Sequence, residues 1–169
     1  MNNPAVKHSY DIAIVGGGMV GAALALALAH GQQGQREPLR ILVLEAFPLP
    51  VADNQPLQPS YDARSTALSL GSRHIFERLG VWSALAVDAS PIHRIQVSDR
   101  GHLGVLRLDA AKERVPALGY VVENSRLGQA LLAPLSSAST AAETASGYES
   151  VTFCCPAEVL AAEAIPTGM

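Results

Sequence analysis

A glycine triplet near the N-terminus is the feature that most constrains the fold of this chain. Gly16, Gly18 and Gly21 have the spacing G-x-G-x-x-G, directly after the β-branched run Ile12–Val15. The next segment, Met19–Ala29, is rich in Ala and Leu and favours a helix. In such a turn the first glycine allows tight bending, the second lets the backbone approach a pyrophosphate, and the third allows close helix packing. The sequence therefore predicts a strand, a turn and a helix that bind a dinucleotide.

An acidic residue follows the next apolar run at a distance that suits this interpretation. Ile41–Leu44 predicts a second buried strand, and Glu45 comes directly after it. Dinucleotide sites place a carboxylate roughly 20 residues after the glycines, where it accepts a hydrogen bond from a ribose 2′-hydroxyl and repels a 2′-phosphate. The candidate ligands are thus Gly16, Gly18, Met19, Gly21 and Glu45. NADP is disfavoured, FAD and NAD both remain open, and the alternative for Glu45 is a solvated carboxylate at a strand end.

The remainder of the chain predicts a mixed architecture. A loop covers 46–60, a helix covers about 69–79 with Ile75, Phe76 and Leu79 on one face, and a hairpin covers 93–109. A strand at 120–122 precedes a helix that begins at Asn124 or Ser125 and continues through Leu132, and a final strand is expected at 151–155. The run 136–146 is expected to be a loop or a frayed helix end. The fold class is therefore α/β: a βαβ unit with a parallel sheet, into which an antiparallel element is inserted.

Charge and cysteine content exclude several classes of function. The chain has 12 basic and 15 acidic residues, and no basic stripe is present that could follow a nucleic-acid backbone. Cys154 and Cys155 are adjacent, a spacing that matches no zinc site and suits no ordinary disulfide, so we expect buried strand residues and no metal. The longest apolar stretch is too short to cross a bilayer. We expect a cytoplasmic protein.

Three further segments resemble a known family. Asp62–Leu68 resembles the second conserved element of flavin-dependent aromatic hydroxylases, in which an Arg after the first βαβ unit contacts FAD; Arg64 occupies that position. The segments Val97–His102 and Leu118–Glu123 resemble the ubiquinone-biosynthesis branch of this family. The same resemblance places Gln129 on the helix face towards FAD. Many relatives carry an Arg at the start of that helix, where this chain has Asn124 and Ser125.

The resemblance implies a fold and an activity. The family fold is a Rossmann-type FAD-binding domain interleaved with a substrate domain on an antiparallel sheet. On that basis we expect 1–91 to be the first part of the FAD domain, 92–118 a hairpin of the substrate layer, and 119–169 a return to the FAD domain. NAD(P)H would reduce the flavin, and a C4a-hydroperoxide would hydroxylate a polyprenylated methoxyphenol with oxygen. The prenyl tail implies association with the inner membrane face or with a biosynthetic complex.

The chain is shorter than members of this family and lacks their later Asp-Gly and Gly-Asp motifs. We therefore expect an incomplete, N-terminal part of the FAD domain that is inactive alone, and we assign no catalytic residue. Two alternatives remain open at this point: an FAD enzyme for a small soluble aromatic compound, and a non-catalytic nucleotide-binding module.

Overall fold

The structure is a computed structural model that describes residues 9–32, 35–48, 59–99, 101, 104–137 and 150–164. The elements in chain order are β1 (Ile12–Val15), α1 (Met19–Gly31), β2 (Ile41–Leu44), β3 (Ser65–Ser69), α2 (Leu70–Arg78), α3 (Trp82–Leu85), β4 (Ser90–Ile92), β5 (Arg94–Ser98), β6 (Val105–Asp109), β7 (Gly119–Glu123), α4 (Asn124–Ser137) and β8 (Val151–Cys154).

The chain divides into two compact units. Unit 1 consists of Met1–Gln58 and Pro134–Met169, and unit 2 consists of Pro59–Ala133. The three-part division expected from the sequence, with borders after residues 91 and 118, stays a prediction.

Unit 1 contains a parallel three-stranded sheet in the order β1-β2-β8. Ile12 of β1 pairs with Ile41 of β2, which in turn pairs with Val151 of β8. Helix α1 connects β1 to β2 and buries one stripe of small and apolar side chains: Ala22, Ala25, Leu26 and Ala29. Their spacing of three and four residues places them on one helix face. The predicted βαβ unit with a parallel sheet is thereby confirmed.

The C-terminus of α1 is tied to the loop that follows it. Gln32, the C-cap residue, is buried. Its Nε2 donates to the Leu28 carbonyl at 2.9 Å, and its Oε1 accepts the Leu39 backbone N–H. This side chain therefore spans the long connection that leads to β2.

Unit 2 contains an antiparallel sheet in the order β3-β7-β4. The strand predicted at 120–122 is β7, the centre of this sheet, with Leu68 and Pro91 opposite Tyr120 on either side. Strands β3 and β4 and helix α3 were not predicted from the sequence. Pro91 lies in an edge strand, where a missing N–H leaves no gap in the sheet.

Helix α2 follows the prediction at both ends. The Ser69 hydroxyl accepts the Ser72 N–H at 3.0 Å as the N-cap, and Gly80 continues the chain with a φ of +74°. Phe76 and Leu79 are buried as expected, but Ile75 is 54% exposed, so its predicted place on the buried face is wrong. The apolar stripe of this short helix is narrower than the periodicity suggested.

An aromatic group lies between α2, α3 and β7. The Trp82 and Tyr120 rings meet edge to face with centroids 4.9 Å apart, and the Arg73 guanidinium lies 5.5 Å from the Trp82 centroid. Trp82 is half-buried, whereas Phe76 is in the core.

The predicted hairpin is present as β5 and β6, which pair antiparallel from Arg94↔Asp109 to Ser98↔Val105. Arg100, His102 and Leu103, between these two strands in the sequence, lie outside the described residues.

Helix α4 begins at Asn124 as predicted and extends past Leu132 to Ser137. Of the segment 136–146, predicted as a loop or a frayed helix end, Ser136 and Ser137 belong to α4, and 138–146 lie outside the described part of the chain. Cys154 is buried in β8, whereas Cys155, just after the strand, is only half-buried. Among the described residues, no helix combines the length and apolar character that a bilayer crossing requires.

Candidate functional site

The turn between β1 and α1 has a shape that only glycine permits. Gly16 has a φ of +97°, and its N–H donates to the Leu44 carbonyl at 2.8 Å, which fixes the turn to the end of β2. A Cβ at Gly21 would overlap the Gly16 carbonyl oxygen and would lie 3.3 Å from Ile14 Cγ2. The first and third glycines are therefore required by backbone conformation and by close approach, respectively.

The N-terminus of α1 carries no side-chain cap. Gly18 is the N-cap residue, and the first intrahelical hydrogen bond runs from Ala22 N–H to the Gly18 carbonyl at 2.8 Å. The N–H groups of Met19 and Val20 precede that bond, and no acceptor for them occurs in the described part of the chain. Val20 is 83% exposed, so the first turn opens to solvent. Free N–H groups and the positive end of the helix dipole together attract an anion.

Glu45 at the end of β2 is held inside the glycine turn. Its Oε2 accepts the Gly17 N–H at 2.6 Å and its Oε1 accepts the Phe47 N–H at 2.9 Å. The residue is 5% exposed, so it is not a solvated carboxylate. A Cβ at Gly17 would lie only 3.2 Å from Oε2, which explains a third glycine in the run. An ionised carboxylate can accept about four hydrogen bonds, so Glu45 keeps acceptor capacity for a ligand hydroxyl.

The main chain on either side of Glu45 is also fixed. Its N–H donates to the Cys154 carbonyl at 3.0 Å, and its own carbonyl accepts the Ala157 N–H at 2.7 Å. The carboxylate is thus positioned by β8 as well as by the turn.

In unit 2, Arg64 lies immediately before β3 with its guanidinium directed to solvent. Its Nε donates to Asp62 Oδ2 at 2.5 Å, and its backbone N–H donates to Asp62 Oδ1 at 3.0 Å. The Arg64 side chain is 75% exposed. The hydrogen bond from the Arg64 backbone N–H, supported by the guanidinium, holds the pKa of Asp62 below its usual value, against the opposing effect of partial desolvation.

Asn124 connects this segment to α4. Its Oδ1 accepts the Thr66 hydroxyl at 2.6 Å, and its Nδ2 donates to Asp62 Oδ1 at 3.3 Å. Its backbone N–H donates to the Arg64 carbonyl at 2.8 Å, and Ser125 N–H donates to the Asp62 carbonyl at 3.0 Å. We call Asp62, Arg64, Thr66 and Asn124 the Asp62–Asn124 cluster.

The remaining predicted ligand on α4 is an exposed residue. Gln129 accepts a hydrogen bond from Arg126 Nη1 at 3.4 Å, while Arg126 Nε pairs with Asp88 at 3.2 Å. On another face of the helix, a Cβ at Gly128 would lie 2.5 Å from the ring of Tyr61, a buried residue. Tyr61 therefore requires a glycine in the second turn of α4.

The structure brings five predicted ligands together in unit 1: Gly16, Gly18, Met19, Gly21 and Glu45. Arg64 and Gln129 belong to unit 2. Sequence reasoning missed Gly17 as the hydrogen-bond donor to Glu45 and Asn124 as the partner of Asp62. The triple glycine was a usable signal for the first, whereas the second joins residues 62 positions apart and has no local signal. Among the described residues, no group of three or more His, Cys, Asp or Glu side chains could hold a metal ion.

Comparison with known proteins finds relatives that include hydroxylases of ubiquinone biosynthesis. The 3-demethoxyubiquinol 3-hydroxylase of Escherichia coli K12 is 45% identical over 125 residues, which cover 72% of this chain and 29% of that protein. The ubiquinone hydroxylase UbiL of Rhodospirillum rubrum is 34% identical over 126 residues, which cover 74% of this chain and 27% of that protein. The resemblance to flavin-dependent hydroxylases of the ubiquinone-biosynthesis branch is thereby confirmed. No family model matches the chain.

Solved structures agree on the fold. The flavin-dependent monooxygenase PieE, whose structure was determined with FAD and substrate, superimposes with a TM-score of 0.53 at 17% identity. The superposition covers 87% of this chain and 24% of PieE. The chain thus spans between a quarter and a third of the length of the relatives it matches.

Proposed function

We propose that this chain forms the ADP-binding part of the FAD site in a monooxygenase that hydroxylates a polyprenylated ring in ubiquinone biosynthesis. The observation that carries the proposal is the Gly16–Gly21 turn with the Glu45 carboxylate fixed inside it at 2.6 Å from Gly17 N. The names of the curated relatives support the ubiquinone substrate class. Activity, substrate and partners are proposed for the protein that contains this chain.

The residues of unit 1 fit the ADP half of FAD. The free N–H groups at Met19 and Val20 suit a pyrophosphate, and the overlap that a Cβ at Gly21 would cause keeps the helix close to the strand. Glu45 keeps acceptor capacity for an adenosine ribose hydroxyl, and its charge disfavours a ligand with a 2′-phosphate. This unit is therefore proposed to be the opening part of a Rossmann-type domain.

Arg64 and Gln129 of unit 2 are proposed as FAD ligands. Apart from the Asp62 contact at Nε, the Arg64 guanidinium has no acceptor within the described residues, so its terminal nitrogens can donate to a flavin or phosphate oxygen. Bound FAD supplies the redox chemistry that couples NAD(P)H to oxygen. The chain itself binds and orients the cofactor.

The substrate class has a consequence for location. A polyprenyl tail partitions into a bilayer, since each buried CH₂ contributes about 0.8 kcal/mol. We therefore propose a cytoplasmic protein that works at the inner membrane face, alone or in a biosynthetic complex.

The experiment is an absorbance spectrum of the purified protein followed by a titration of the apoprotein with FAD, NAD and NADP. We expect a bound flavin spectrum and selective FAD binding; selective binding of NAD, or no dinucleotide binding, would disprove the cofactor assignment. A hydroxylation assay with prenylated and unprenylated phenols then tests the substrate. Preference for the unprenylated phenol would contradict the ubiquinone assignment and leave the FAD site intact.

A further inference from the structure

We infer that Asn124 is a positioning residue that orients the Arg64 guanidinium for FAD through Asp62. The inference rests on the proposed FAD site and adds a residue that does not itself contact the cofactor. It follows from the hydrogen bonds of the Asp62–Asn124 cluster.

The amide of Asn124 is buried and hydrogen-bonded on both sides. The residue is 4% exposed, and its amide group joins Thr66 Oγ1 at 2.6 Å to Asp62 Oδ1 at 3.3 Å. Its backbone N–H holds the Arg64 carbonyl at 2.8 Å. One residue at the start of α4 thus holds alternate positions of the segment 62–66, and a buried amide with these partners has few other orientations available.

Asp62 transmits this restraint to Arg64. Oδ1 of Asp62 accepts both Asn124 Nδ2 and the Arg64 N–H, and Oδ2 accepts Arg64 Nε at 2.5 Å. The Arg64 side chain is otherwise exposed. Within the described part of the chain, its ion pair with Asp62 is therefore the contact that limits the movement of the guanidinium. An exposed ion pair contributes little by itself, but a carboxylate fixed by a buried amide is a rigid anchor for a guanidinium.

The alternative role for Asn124 is an ordinary helix cap. An N-cap Asn accepts a hydrogen bond from an N–H in the first turn of its own helix. Among the described residues, Oδ1 of Asn124 instead accepts from Thr66 in β3. The amide is therefore directed at the segment that carries Arg64. At the helix N-terminus, the Ser125 N–H donates to the Asp62 carbonyl instead.

The test is a double-mutant cycle on FAD affinity with Asn124→Ala and Arg64→Ala. We expect Arg64→Ala to weaken FAD binding roughly tenfold and Asn124→Ala about three- to tenfold. In the Arg64→Ala background, Asn124→Ala should change the affinity by less than about twofold, because the group that it positions is absent. Equal effects of Asn124→Ala in both backgrounds would show a merely structural role and overturn the inference.

A spectroscopic readout on the FAD-free protein separates this inference from the proposed function. The Nε–H of Arg64 should give a resolved, slowly exchanging NMR signal in the native protein, and Asn124→Ala should broaden or shift it. An unchanged signal overturns the inference even when FAD binds. Absence of FAD binding in the native protein, with the signal intact, instead defeats the proposed function.

A second variant covers the case in which Asn124→Ala fails to fold. Asn124→Asp keeps the shape and the acceptor for Thr66 but places a carboxylate beside Asp62, so it should weaken FAD binding at neutral pH. Protonation of the introduced group restores a donor to Asp62, and FAD affinity should recover as the pH falls. An affinity that is independent of pH relative to the native protein would contradict the positioning role.

Discussion

The Glu45 carboxylate accepts the backbone N–H of Gly17 at 2.6 Å across 28 residues of sequence. This bond joins the carboxyl end of β2 to the turn that leads into α1, so the two parts of the proposed dinucleotide site are fixed to each other before any ligand binds. Pre-organisation of this kind lowers the entropic cost of binding.

Replacement of Glu45 by Gln should therefore weaken both the fold and the FAD site. Gln has a single side-chain oxygen, and its NH₂ group donates and cannot accept, so the N–H of Gly17 or of Phe47 loses its acceptor at a cost of about 1–3 kcal/mol. We expect a lower free energy of unfolding in urea and a raised Kd for FAD. Glu37→Gln, at an exposed position, is the matched control and should change neither. Unchanged stability of Glu45→Gln would show that the carboxylate is not needed in the turn.

Gly21→Ala tests the close approach of α1 to β1. The added Cβ would overlap the Gly16 carbonyl oxygen, which is backbone and cannot rotate away. We expect a destabilisation of about 2 kcal/mol or more and loss of FAD binding, measured by thermal unfolding and flavin titration. Gly31→Ala, in the same helix with open space at its Cβ position, should be neutral or slightly stabilising. Normal FAD affinity in Gly21→Ala would rule out the turn as a phosphate site.

Gly128→Ala tests the packing of α4 on Tyr61. Its Cβ would lie 2.5 Å from the ring of a buried tyrosine, so the helix or the ring must move. Chemical denaturation should show that the free energy of unfolding falls by about 1–3 kcal/mol. Gly71→Ala in α2 meets only ordinary contact, 3.6 Å from Ser69 Oγ, and should be tolerated. Equal stability of the two variants would contradict this packing.

The low pKa of Asp62 predicts a pH dependence of stability. Because its pKa is lower in the folded than in the unfolded state, ionised Asp62 stabilises the native protein above the usual carboxyl range, and this contribution is lost as the pH falls through the folded-state pKa. Urea unfolding from about pH 6 to about pH 3 should show a shallower decline for Asp62→Asn than for the native protein. Arg64→Ala should keep much of the native decline, since the backbone N–H of residue 64 remains. Identical profiles for Asp62→Asn and the native protein would contradict the assignment.

The part of the fold that the sequence predicts is the part with local signals. Gly16 and Gly21 separate a β-branched run from an Ala/Leu-rich run, and the residues of each run favour the element that they form. Strand β3 has no such pattern: Ser65–Ser69 is a short segment with three hydroxyl residues, and its extended state comes from pairing with β7. Pairing between strands that are distant in sequence cannot be predicted from a short stretch of residues.

The candidate site also has one part that local sequence signals predict and another that depends on the fold. Glu45 was found because its spacing from the glycines is a known signal, whereas its burial and its bond to Gly17 depend on how β2 and the turn meet. Asn124 reads in sequence as a helix cap. Its actual partners, Asp62 and Thr66, are 62 and 58 residues away, and only the fold reveals them.

The position of Trp82 gives unit 2 an optical reporter of its own. It is the only tryptophan in the sequence, and it lies in unit 2 against Tyr120 and Arg73. Its emission therefore monitors the melting of unit 2, while far-ultraviolet circular dichroism follows the helices and strands of both units. A single denaturation experiment followed by both signals would show whether the two units unfold together or in sequence.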